Sequence, residues 1–79
     1  MDKSIYSAEY QRLCALLREL RREAGLTQVQ VAERLDEPQS FVSKYEAGER
    51  RLDLIELHQV ATALGTTVVA IVQRLWPEG

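Results

Sequence analysis

The sequence predicts an all-α fold of five short helices, and three observations predict it. Apolar residues recur at spacings of three and four, Gly25, Gly48, Gly65 and Pro77 interrupt that period, and no segment alternates polar with apolar residues as a half-buried strand does. The first helix runs from about Ser7 to Ala24, with Tyr10, Leu13, Leu17, Leu20 and Ala24 along one face and Gly25 as a left-handed stop. Thr27 and Gln30, three residues apart, form a capping box that opens a second helix of about two turns, with Val31, Ala32 and Leu35 inward. Asp36-Glu37-Pro38 ends it, because the residue before a proline is pushed out of helical space while proline itself suits a first helical turn. The third helix therefore starts at Pro38 or Gln39, runs to Ala47 and stops at Gly48. After the loop Glu49-Arg50-Arg51-Leu52, a second capping box, Asp53 with Glu56, opens a fourth helix. Its inward residues are Leu54, Leu57, Val60, Ala61 and Leu64, and Gly65 stops it. Thr66 or Thr67 caps a last helix from about Val68 to Leu75, which Pro77 terminates.

At 79 residues, the chain reads as one small domain, 1–79, able to bury only about 60% of the surface it would expose unfolded. Cys14 alone cannot close an intrachain disulfide, and Cys14 with His58 is too small a set for a typical structural zinc site, so packing must hold the core and no metal or other cofactor is expected. A nucleophile beside a base, paired carboxylates and a metal cluster are all missing, which argues against an enzyme. No apolar run approaches the roughly 18 residues of a membrane span, and Met1-Asp2-Lys3-Ser4 lacks the apolar core of a signal peptide, so the expected location is cytoplasmic. The net charge of −2 speaks weakly against a nucleic-acid partner. Its distribution says more: residues 1–51 carry nine of the ten Lys and Arg against nine acids, and residues 52–79 carry only Arg74 against Asp53, Glu56 and Glu78.

Two short helices joined by a tight turn and packed on a longer one have the geometry of a helix-turn-helix, whose second member can lie in a DNA major groove. At 100° per residue, Val42, Tyr45 and Glu46 fall on one side of helix three, and Ser40, Ser43, Lys44 and Ala47 on the other, with Gln39 at the projecting N-terminal end. Glutamine matches the paired donor and acceptor of adenine, lysine the acceptors of guanine, and serine either base edges or phosphates. On the first helix, Arg21 falls within the apolar stripe near Tyr10, Cys14 and Leu17, where an unpaired guanidinium is costly; Glu46 is its natural partner.

The segments Leu20-Arg21-Arg22-Glu23-Ala24-Gly25-Leu26-Thr27-Gln28, Val31-Ala32-Glu33-Arg34-Leu35 and Gln39-Ser40-Phe41-Val42-Ser43-Lys44-Tyr45-Glu46-Ala47-Gly48 resemble the phage repressor and Cro type helix-turn-helix family, the Xre-like transcriptional regulators. The resemblance spans about residues 10–75, with the helix-turn-helix at about 27–47. It implies a five-helix repressor-like DNA-binding domain. It implies base reading by Gln39, Ser40 and Lys44, with Ser43 on the same face in a less consistent role. Gln28 matches a glutamine that binds a DNA phosphate and braces the first glutamine of the recognition helix, and Thr27 lies beside it on the backbone side. Phe41 either meets a thymine methyl or a sugar, or lies flat at the rim between core and groove. Arg50 and Arg51 lie in the loop beside the DNA backbone, where cations contribute mainly sequence-independent affinity. The resemblance also pairs Arg21 with Glu46 in a partly buried salt bridge. One departure is Asp36, where many members carry glycine at a left-handed turn; aspartate tolerates that region better than most residues.

The last helix carries more apolar surface than one core needs. Val68, Ile71, Val72 and Leu75 make one stripe, and Val69 and Trp76 lie about 80–100° away: either Trp76 folds back over its own core and Val69 is a stray exposed residue, or the two belong to a two-fold dimer interface. The expected function is therefore a sequence-specific DNA-binding transcriptional regulator, a homodimeric repressor on a palindromic operator. The alternative is a protein-interaction module of the same fold, such as an antitoxin binding a toxin.

Overall fold

The computed structural model describes residues 7–78 and shows five helices: α1 (Ala8–Glu23), α2 (Gln28–Leu35), α3 (Gln39–Glu46), α4 (Leu54–Ala63) and α5 (Val68–Leu75). Four of the five starts are held by side-chain caps. The Ser7 hydroxyl accepts from Tyr10 N, and the Thr67 hydroxyl accepts from Ala70 N. Thr27 and Asp53 each form a reciprocal box, with Gln30 and Glu56 respectively, so two otherwise orphaned N–H groups are satisfied at each start. α3 has no side-chain cap: Pro38, with extended backbone at ψ 157°, stands before it as the capping residue, and the helix proper begins at Gln39. The turn between α2 and α3 closes through Asp36 in the left-handed region (φ 57°, ψ 43°), as its position in the sequence required.

α3 ends against Gly48, which is both left-handed (φ 79°) and buried. A Cβ there would sit 2.8 Å from the end of the flexible Gln11 side chain, which could swing aside, so it is the left-handed backbone that calls for glycine.

The core gathers Leu17 from α1, Val31 and Ala32 from α2, Val42 and Tyr45 from α3, Val60, Ala61 and Leu64 from the α4 end, and Ile71 and Leu75 from α5. Three apolar assignments are corrected. Leu54 is 69% exposed, because it is the first residue of α4 and the helix meets the core one turn later, at Leu57. Val72 is 42% exposed, lying about 100° round α5 from Ile71 on a helix with a narrow buried stripe. Ala24 is the exposed C-cap of α1 rather than the end of its stripe. Conversely, Leu16 is buried, because α1 packs on both α3 and α5 and so buries a wider arc than one stripe. Cys14 is buried too, and burial pushes its thiol above the usual range, partly offset by a hydrogen bond with Tyr10. Among the described residues no helix is long and apolar enough to cross a membrane.

Tyr45 is 1% exposed, and its hydroxyl has no hydrogen-bond partner among the described residues. Burial first, and the neighbouring Glu46 second, push its phenol well above the ordinary value. An unmet buried hydroxyl costs about 1–3 kcal/mol, so Tyr45→Phe should stabilise the fold by roughly 1 kcal/mol in urea unfolding. A loss of stability of similar size would mean that the hydroxyl is satisfied after all.

Candidate nucleic-acid interface

The start and the end of α3 are joined through one polar chain that begins in the bundle. Arg21 on α1 meets Glu46 at the end of α3 in a fork, Nε donating to Oε2 at 2.7 Å and Nη2 to Oε1 at 3.1 Å, while Nη1 donates to the Leu26 carbonyl at 3.0 Å. Their side chains are only 12% and 4% exposed, and the hydrogen bond to Glu46 is the main reason the Arg21 pKa rises. Glu46 Oε1 also accepts from the Gln28 amide (3.0 Å) at the start of α2, and Gln28 Oε1 in turn accepts from the Gln39 amide (3.2 Å) at the start of α3. The buried ion pair thus orients the first residue of α3 through one intermediate glutamine.

Beyond that anchor, Gln39, Ser40 and Lys44 are exposed on the outer side of α3, with Val42 and Tyr45 buried on the inner side. Ser43 is half-buried, and its hydroxyl donates to the Ser40 carbonyl at 3.4 Å, so it is partly committed within the helix. Thr27 is exposed but serves as the α2 cap. Phe41 lies at the rim of the core, its ring edge-on to Tyr45 at 5.6 Å and 77°.

The loop after α3 is fastened by stacking. The Arg50 guanidinium sits 4.7 Å over the Phe41 ring, and the Arg51 guanidinium 5.0 Å over the Tyr10 ring, while the Tyr10 hydroxyl donates to the Arg50 carbonyl at 2.8 Å. Arg50 is in addition forked with Glu56, at 3.1 Å (Nη1–Oε1) and 2.8 Å (Nη2–Oε2). That pairing was not read from the sequence, since Glu56 already had a role as a capping residue. Its signal was an arginine in the loop ahead of a helix whose third position is acidic. Val69 (65% exposed) is open to solvent, as are Leu54, Ile55 and Val72, and Trp76 (45% exposed) lines a groove with Tyr10, Leu13 and Arg51.

A helix-turn-helix family model matches residues 17–71, which include the whole Arg21–Glu46–Gln28–Gln39 chain. The chain belongs to the helix-turn-helix family. Its kinship is with the XRE type: an XRE-family like protein from Pseudomonas syringae pv. tomato is 49% identical, with a TM-score of 0.84 over 92% of this chain and 89% of that one. An HTH-type transcriptional regulator of Sinorhizobium fredii is 43% identical over 53 residues, 67% of this chain and 69% of that protein. The restriction-modification controller protein C.Esp1396I, solved as a tetramer with its natural 35 base-pair operator, shares the fold at a TM-score of 0.82 and 22% identity, covering 91% of this chain and 95% of that one.

Because Glu46 is nearly inaccessible, removing its partner strands a buried charge. Arg21→Ala should cost about 3–5 kcal/mol and lower the melting temperature by more than about 10 °C, at roughly 4–8 °C per kcal/mol for a domain of this size. A calorimetric trace that overlays wild type would show that the pair contributes nothing.

Proposed function

We propose that this helix-turn-helix protein is a sequence-specific DNA-binding transcriptional regulator that acts in the cytoplasm as a homodimeric repressor on a palindromic operator. The observation that carries the reading is the bracing of Gln39. A glutamine held by Gln28 at the projecting end of an eight-residue helix has its orientation set before any duplex arrives, and a preset side chain loses less freedom on binding. Gln39 then reads adenine, Lys44 reads guanine, Ser40 reaches a base edge or phosphate, and Ser43 has a lesser share. Gln28, Thr27 and Arg51 lie toward the DNA backbone, where they position rather than specify.

The whole chain is slightly acidic, and Asp36 and Glu37 are exposed just ahead of α3. Affinity for one half-site is accordingly modest, and two linked half-sites supply what one cannot. Val69 and Trp76 are the anchors of the proposed two-fold contact, which would set two recognition helices about 34 Å apart along the duplex. The same apolar side chains would suit an unlike small protein, as in an antitoxin; that partner would co-purify in place of a second copy.

Selection of bound duplexes from a random pool tests base reading. Wild type should enrich a palindrome, and Gln39→Ala and Lys44→Ala should each change the preferred bases. Arg51→Ala should weaken all sites alike and flatten the salt slope by about 0.9. A pool that emerges without a motif removes the reading. Light scattering at micromolar concentration tests assembly: wild type should be dimeric and the Val69→Asp/Trp76→Ala variant monomeric yet folded, whereas a monomeric wild type removes the dimer.

A further inference from the structure

The loop that follows the recognition helix carries two arginines, and their surroundings differ. Arg51 is exposed, and its guanidinium stacks on the face of Tyr10. Arg50, though its side chain is 40% exposed, is engaged by several partners: Phe41 covers one face of its guanidinium, the Glu56 carboxylate grips both terminal nitrogens, and Nη1 also donates to the Arg51 carbonyl at 2.8 Å. The Glu56 carboxylate is itself fixed, because its Oε1 accepts from Asp53 N at 3.0 Å in the α4 capping box. Glu37 and Asp53 add further negative potential at Arg50. The fork is the geometry in which guanidinium and carboxylate bind best, and here the helix cap has preorganised the acceptor.

We infer that Glu56 holds Arg50 out of the set of DNA-phosphate ligands, so that the Arg50–Glu56 pair limits affinity for duplex DNA and Arg51 is the loop's working cation. This rests on the DNA-binding reading above. A phosphate approaching Arg50 finds only Nε–H and one Nη2–H uncommitted, and there it meets a guanidinium whose charge is already neutralised by a carboxylate that repels it. A neutral pair releases no DNA counterion, so Arg50 adds nothing to the salt dependence of binding. The consequence is weaker binding at every site alike.

Glutamine at position 56 keeps the capping box, which accepts Glu or Gln, while removing the charge that grips Arg50. The test is fluorescence anisotropy on a labelled mixed-sequence duplex, between about 50 and 200 mM salt. Wild type, Glu56→Gln and the double variant Glu56→Gln/Arg50→Gln are compared, with thermal melts to confirm that all three are folded. Glu56→Gln should bind more tightly, with a log–log salt slope steeper by about 0.9, and the double variant should return to the wild-type slope. If Glu56→Gln matches wild type and the double variant has a shallower slope, Arg50 already binds phosphate and the inference fails. Absence of duplex binding by all three proteins would overturn both this inference and the DNA reading. A measurement that needs no variant is the Arg50 Nε resonance of wild type during titration with the duplex. It should stay in place if Glu56 keeps its hold and move if the guanidinium transfers to phosphate.

Discussion

The Arg21–Glu46 ion pair is the constraint on which the arrangement of the first three helices depends. α3 has eight residues and no side-chain cap, and a helix of that length does not persist by its own propensity. Its position is imposed from its C-terminal end, where Val42 and Tyr45 are buried and Glu46 is clasped by α1. A carboxylate that is 4% exposed is tolerable only with its acceptor sites filled. Two Arg21 nitrogens and the Gln28 amide fill them, and the spare oxygen of Gln28 then reaches Gln39. One requirement of the interior, a satisfied charge, thereby fixes a feature of the surface.

The same logic bears on how a slightly acidic chain meets the proposed partner, and it lowers the number of cations on which a duplex can draw. Counting cations overstates what is available to DNA, because many are occupied by the bundle. Arg12 donates to the Leu75 carbonyl at the end of α5 and Arg34 to the Ala63 carbonyl at the end of α4, each neutralising the negative end of a helix. Arg74 lies 3.7 Å from Glu23. Lys44 and Arg51 remain exposed beside α3, with Asp36 and Glu37 exposed ahead of it, so the local balance there is set by a few charges of both signs and not by the whole-chain average.

Much of the architecture was legible in the sequence because its signals are local. Caps such as Thr27 with Gln30, and stops such as Gly48, act within one turn of the helix they bound, and each agrees with the structure. The Arg21–Glu46 pair was legible for a different reason: an arginine in an apolar stripe violates the pattern, and the violation asks for an acid. What escaped was set by neighbours distant in sequence. Leu16 is buried because α1 has two partners, and Leu54 is exposed because the core begins one turn into α4. Arg12 and Arg34 reach carbonyls 63 and 29 residues away, and backbone acceptors leave no mark in a sequence. Glu56 was concealed by having two roles, of which only the local one follows a rule.

Cys14 carries a consequence of its own. Enclosed by the bundle, with deprotonation made harder by burial, the thiol presents little nucleophilic sulfur to an oxidant. While the bundle stays closed, copies of this chain therefore cannot be riveted together through it, and whatever association they make stays reversible and obeys mass action. The amount of such an assembly then follows the concentration of the chain.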